Sequence, residues 1–256
     1  MYEEPYRWIE AVRNRREYLE EQLSAGGPIV ALPYENGALL ATLGGGTPKL
    51  YEVYDQIAFG GMGHPADLEK LRNVVLDSAH IEGFNRSPVD VTVQRLMKFG
   101  LAPMVKQAFE EILHAPYICK IVMAELSFPS GAPHFFQLNY DGVFEEREQG
   151  LILAPTPAVA QRMEAFLKGV GDPASLSLKE ALRAALRTWA VSQLPVPEGE
   201  EKESAPKANR LDGLLKKALE DRVIEAALLD RTQPGSSKYR TLSKEEVQTL
   251  THGWFK

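Results

Sequence analysis

Two short strand-like runs, 29–34 and 38–43, are joined by Glu35-Asn36-Gly37, and Lys49 opens a third run. A lysine held beside the start of the first run could assist a nucleophile placed there. One chemistry open to a nucleophile there is hydrolysis by a freed N-terminal threonine, activated by a nearby amine. The residues before the first run are Ala25-Gly26-Gly27-Pro28. Glycine carries no nucleophile, and proline has neither a hydroxyl nor a primary amine. Thr42 and Thr47 follow the first hairpin, so cleavage before either would delete a core strand. The pattern reads as a scaffold that could host catalysis, with the attacking group absent.

Other reactive side chains group less well. His64, His80, His114, His134 and His252 are scattered, and neither a His-Glu-x-x-His nor a Cys-x-x-Cys spacing occurs. No metal and no cofactor is expected. The lone Cys119 lies in an apolar run and reads as a small core side chain. It cannot form an internal disulfide, which fits a reducing cytoplasm. The glycines of Gly44-Gly45-Gly46-Thr47-Pro48-Lys49 have the wrong spacing for a phosphate loop, and Pro48 interrupts it. Arg13, Arg15 and Arg16 form a cluster that would either meet an acidic partner or lie on a solvated helix face.

With 35 acidic against 29 basic side chains, the net charge of −6 gives no reason to expect a nucleic-acid partner. No apolar run approaches the ~20 residues that span a bilayer, so no membrane partner is expected. The opening Met1-Tyr2-Glu3-Glu4-Pro5 lacks the basic and apolar regions of a secretory signal, and a cytoplasmic location is expected.

The elements that must position Lys49 follow from periodicity. Trp8, Ile9, Val12, Leu19 and Leu23 make an apolar stripe on a helix over 7–24, ended by Gly26-Gly27. Such a stripe needs a surface to cover, its own body or a neighbouring subunit. Strands are expected at 28–34, 38–43, 49–54 and 56–60. A helix pair follows, the first from Pro65 to Gly83, the second capped by Asp90 and kinked or interrupted near Pro103. Its inner face would carry Val93, Leu96, Met97, Leu101, Met104, Val105, Ala108 and Ile112. The run 118–128 reads as a strand covered on both faces. Phe136, Leu138 and Tyr140 alternate with Gln137 and Asn139 as a strand with one drier face. Short strands at 143–144 and 151–153 precede a second helix pair, which Thr156-Pro157 and a Ser177/Glu180 capping box begin. Residues 195–207 read as a solvated loop, and Leu211, Leu214, Leu215, Ala218 and Leu219 as a small amphipathic helix. Together, 195–220 form an insertion. Strands near 223–230 and 238–242 and a helix from Lys244 finish the chain. Strands in runs and helices in pairs predict an α+β protein, a single domain over 1–256, with two stacked sheets and a helix pair on each outer face: a four-layer αββα sandwich.

Several blocks in this order resemble the α-type subunits of the proteasome core particle, of the bacterial kind found in actinobacteria. They are Arg16-Glu17-Tyr18 with Gly27-Pro28-Ile29-Val30-Ala31-Leu32, the stretch Lys49-Leu50-Tyr51-Glu52-Val53-Tyr54-Asp55-Gln56-Ile57-Ala58-Phe59, Asp90-Val91-Thr92, Asn139-Tyr140-Asp141-Gly142, and Ile224-Glu225-Ala226-Ala227-Leu228-Leu229-Asp230. The stretch 195–220 departs from that family. So does the absence of a Tyr-Asp-Arg opening followed by Ser-Pro-Asp-Gly-Arg, as archaeal and eukaryotic relatives have.

The resemblance implies the Ntn-hydrolase sandwich and a non-catalytic part in regulated protein degradation. Copies of the chain would form a heptameric ring, stacked on β-type subunits that carry the threonine nucleophile. The N-terminal helix would contact the β ring or the activator side. Met1, Tyr2, Glu3, Glu4, Pro5 and Tyr6 would form the gating segment, through whose pore polypeptide substrates pass. Lys49 would receive the C-terminal carboxylate of a ring-shaped ATPase activator's tail, between neighbouring subunits. Without the resemblance Lys49 is a solvated strand-end lysine. A self-processed hydrolase on the same sandwich and a free-standing oligomeric scaffold are the alternative readings.

Overall fold

The Asn36-Gly37 turn closes the first hairpin as its residues predict. Gly37 takes φ of 149°, and a Cβ there would collide with the Leu229 carbonyl oxygen, so only glycine suits the position. The hairpin joins β1 (Ile29–Tyr34) to β2 (Gly37–Gly44), and every residue of both strands is buried. Continuous burial means both faces are covered, which explains the unbroken apolar runs. In the computed structural model, residues 5–111, 113–195 and 206–254 are described.

Two five-stranded antiparallel sheets stack face to face. With β3 (Leu50–Tyr54), β4 (Ile57–Gly63), β5 (Cys119–Leu126), β6 (Pro133–Leu138), β7 (Phe144–Arg147), β8 (Leu151–Leu153), β9 (Val223–Asp230) and β10 (Tyr239–Thr241), the orders are β10-β9-β2-β1-β8 and β3-β4-β5-β6-β7. Ile29, Leu40, Val122, Phe135, Leu153 and Leu229 meet between the sheets. On one outer face lie α5 (Pro157–Lys168), α6 (Leu178–Val191) and α7 (Ala208–Ala218), around Trp189 and Met163. On the other lie α2 (Pro65–Asn85), α3 (Val93–Leu96) and α4 (Ala102–Glu110), around Leu71, Val75, Met97 and Val105. The expected four-layer αββα order is what the chain adopts, with α8 (Lys244–Thr251) at its end.

Several details add to the sequence reading or depart from it. Asp90 does not cap the second helix. It ends a 3-10 turn, Pro88–Asp90, and the Thr92 hydroxyl accepts the Arg95 N–H instead. The Glu125 carboxylate on β5 accepts the Val93 N–H at 2.5 Å, so a strand supplies the second half of the cap. The interruption expected near Pro103 is present. A π turn, Met97–Leu101, separates α3 from α4, and the Ala102 N–H reaches back to the Met97 carbonyl. Pro103 has no N–H to continue the α ladder, and the wider turn absorbs the interruption. Phe135 is as buried as Phe136, because β6 is covered on both faces. The helix of the insertion is part of the core: Leu211 and Leu215 are buried against α6. Finally, α1 runs Pro5–Ser24, so Pro5 and Tyr6 of the expected gating segment already belong to it. Proline fits a first helical turn, where its missing N–H has no partner to lose. Met1 to Glu4, Ile112 and residues 196–205 of the expected loop lie outside the described residues.

Candidate functional site

The antiparallel registers bring the start of β1, the end of β2 and the start of β3 to one end of the sandwich. Lys49 stands there, just before β3. Its own N–H and that of Leu50 both donate to Glu225 Oε1 of β9, each at 2.7 Å. One carboxylate thus ties the head of a strand in one sheet to a strand of the other. The Lys49 ammonium points at the start of β1 and donates to the Gly27 carbonyl at 3.5 Å. The sequence reading noted Lys49 at the head of the third strand and the residues before the first; the fold sets the two side by side.

A side chain on the neighbouring residue would displace that ammonium. A Cβ on Gly27 would lie 2.9 Å from Lys49 Nζ. Nearby, Thr42 Oγ1 is buried and donates to the Pro28 carbonyl at 2.7 Å. Thr47 stands at the exposed rim of the same cavity. Cys119 is fully buried, and burial pushes its thiol far above the usual range. The position where a nucleophile would begin β1 therefore holds backbone and a cation.

A cavity of about 440 Å³ opens in front of Lys49, lined by Gly26, Tyr51, Phe59, Met62 and Leu68. Arg72 stacks over the Tyr51 ring at 4.8 Å while pairing with Glu69. The walls are mostly apolar and the ammonium is partly buried. Burial lowers its pKa, the Glu225 charge opposes that shift, and Arg222 adds to it. A cation with one long bond and two further donors, set against an apolar wall, can take a carboxylate with an apolar neighbour.

Across the same end lies α1. Leu19 and Leu23 are fully buried against Phe109 and Tyr140. The Tyr140 hydroxyl donates to Glu20 Oε1 at 3.0 Å, and Arg16 pairs with Asp141 at 3.3 Å. Arg15 sends its guanidinium onto the carbonyls of Ala108, Phe109, Glu111 and His114, at 2.8 to 3.1 Å, closing the end of α4. Neither reading of the arginine cluster foresaw this. Trp8 and Ile9, in the same stripe, are 50% and 59% exposed. The stripe covers the chain's own body at one end and stands open at the other.

Glu225 and Arg15 are the residues that sequence reasoning passed over. A lone carboxylate inside the apolar Ile224-Glu225-Ala226-Ala227 run was the available signal for the first. Among the described residues no cluster of His, Cys, Asp or Glu could hold a metal ion, and no helix is long and apolar enough to cross a membrane.

Two stacked antiparallel sheets between helical layers, with a leading helix across the end that holds Lys49, define the class: the αββα sandwich of proteasome α subunits. No protein-family model matches the chain. It is 30% identical over 246 residues to the proteasome subunit alpha of Streptosporangium roseum, covering 94% of this chain and 83% of that relative. Against the proteasome subunit alpha of Actinosynnema mirum it is 28% identical over 228 residues, 87% of this chain and 78% of the relative. Against that of Pseudarthrobacter chlorophenolicus it is 26% identical over 249 residues, 93% and 94%. The chain belongs to the bacterial proteasome α-subunit family.

Proposed function

We propose that this chain is the non-catalytic, ring-forming α subunit of a cytoplasmic proteasome core particle, gating polypeptide entry and docking an ATPase activator through Lys49. The observation that carries the reading is the Lys49 ammonium. It faces an apolar cavity with, among the described residues, a single long bond, and Gly27 stands just ahead of β1, where a nucleophile would be needed. An ammonium on a flexible stem suits one terminal carboxylate. A charge-assisted contact of this kind is worth roughly 1.5–3 kcal/mol, and repetition around a ring multiplies its effect through avidity. Partners would be further copies of the chain in a heptamer, β-type subunits, the activator and the polypeptide in transit. The half-exposed Trp8 and Ile9 supply apolar area for a neighbour at the Lys49 end. Phe84, Val89 and Phe128, all exposed, supply it at the other, where a β subunit would stack.

The test is Lys49→Ala in the chain assembled with its β partner. Activator-stimulated proteolysis should fall about tenfold, the size of a ~1.4 kcal/mol loss, while cleavage of small peptides by the assembled core stays within twofold. Unchanged stimulation would remove Lys49 from the docking site. Intact mass of the purified chain checks the non-catalytic part. A chain trimmed just before β1 would identify a self-processed hydrolase instead.

A further inference from the structure

We infer that Glu225 is the positioning residue of the Lys49 site: its reach across the two sheets, rather than its charge, aims the ammonium into the cavity. The inference rests on the reading of Lys49 as a carboxylate receptor and adds a residue that acts through it.

The geometry is specific. Lys49 follows Gly44-Gly45-Gly46-Thr47-Pro48, a connection whose residues 45–48 are all exposed. On the β4 side the Lys49 carbonyl accepts the Gly61 N–H at 3.1 Å, and the Tyr51 hydroxyl donates to the Pro48 carbonyl at 2.7 Å. Glu225 supplies the constraint on the opposite side, at the N–H groups. It sits near the Lys49 end of the β2–β9 ladder, opposite Thr42, two residues before the part of β9 that also pairs with β10. From there one oxygen accepts two consecutive backbone N–H groups at 2.7 Å. Its other oxygen, Oε2, lies against Gly44, 3.2 Å from where a Cβ would be. The carboxylate is thus boxed between the end of β2 and the head of β3. Glu225 and the Lys49 ammonium do not form an ion pair among the described residues: the bonds run to the Lys49 backbone, and Nζ turns away to the Gly27 carbonyl. A group that grips the main chain on both sides of Cα sets where the side chain starts. Removing it would leave the Lys49 and Leu50 N–H groups without that acceptor, and Lys49 held from the β4 side alone at the end of a glycine-rich loop.

Reach and charge can be separated by two conservative substitutions. Glu225→Gln keeps a carbonyl oxygen at the same distance and discards the charge. Glu225→Asp keeps the charge and withdraws it by one methylene, too short to serve both N–H groups. The first readout needs no partner: the rate at which an amine-reactive acylating reagent labels Lys49 in the full chain, followed by peptide mass spectrometry against the other lysines. Positioning predicts that Asp raises Lys49 labelling about threefold or more, as the ammonium leaves its partly buried place, and that Gln changes it less than twofold. The second readout is binding of a short apolar peptide with a free C-terminal carboxylate to the assembled ring, with the C-terminal amide as control. Asp should weaken it about tenfold and Gln no more than twofold. The opposite order, with Gln disruptive and Asp silent, would assign Glu225 a charge role and overturn the proposal; so would labelling that neither variant alters. If the labelling follows the predicted order but the carboxylate peptide binds the unaltered ring no better than its amide, the receptor reading of Lys49 fails and the positioning role of Glu225 stands.

Discussion

Arg187 of α6 and Asp212 of α7 meet through two parallel bonds, Nε to Oδ1 at 2.8 Å and Nη2 to Oδ2 at 2.7 Å. This fork fastens the helix of the insertion to the outer layer, over the buried Leu211 and Leu215. The hydrogen bonds from Arg187 hold the Asp212 carboxyl below the usual carboxylate range, against the opposing effect of burial, and Arg183 adds to the lowering. A carboxyl whose pKa is depressed by folding stabilises the fold above its unfolded pKa, and that contribution is lost as pH falls through the folded value. Asp212→Asn should therefore cost about 1–2 kcal/mol at neutral pH, allowing for solvent screening. Below the carboxylate range the difference from the unaltered chain should vanish. Urea denaturation at neutral and acid pH measures both.

The stripe on α1 divides by burial. Leu19→Ala should destabilise the isolated chain by about 2–5 kcal/mol, the cost of a cavity in a closed contact. Trp8→Ala should leave its stability within about 0.5 kcal/mol, since a surface change away from special contacts does little. Tryptophan fluorescence reports the same division. Trp189 and Trp254 are buried, so acrylamide should quench chiefly Trp8, and assembly into a ring should protect it.

Arg15→Ala should release α1 from the end of α4. The expected loss is about 1.5–3 kcal/mol for hydrogen bonds from a charged donor. Hydrogen exchange should accelerate along α1 and in the last turn of α4 while leaving the sheets unchanged. Arg15→Lys should recover only part of the protection, because an ammonium cannot spread across carbonyls as a planar guanidinium does.

Gly27→Ala places a methyl 2.9 Å from the Lys49 ammonium. The side-chain end can swing aside, so thermal stability should change by less than about 1 kcal/mol. Carboxylate-peptide binding should weaken because the ammonium has moved. Gly27→Ala and Lys49→Ala should then be non-additive in a double-mutant cycle, the signature of two changes acting at one contact.

The layers of the fold were legible because each rests on local pattern. Unbroken apolar runs announced strands covered on both sides, and Ser177 with Glu180 announced the capping box that α6 has. Misreadings arose where a distant partner decided the outcome. Thr92 displaced Asp90 as cap in a segment where Glu125, 32 residues from Val93, completes the helix start. The break near Pro103 was readable, but not its form, a π turn whose Met97 and Leu101 are buried in the core. The place of Lys49 at the head of the third strand was readable from the sequence. Its grip by Glu225, 176 residues away, was not, since no local spacing records which strand of a sheet will lie beside which loop. Arg15 looked like one of three surface cations, and only the end of α4 gives it a target.

The borders of the two sheets have a consequence for assembly. One sheet ends in β8 and β10, three residues each, and the other in β3, with Glu52 exposed, and in β7, whose Glu145, Glu146 and Arg147 are exposed. Short or charged margins make poor templates for an added strand. Copies of this polypeptide are thereby steered away from fibre-like growth along the hydrogen-bonding direction and left to associate side by side through helices and loops, a geometry that can close on itself.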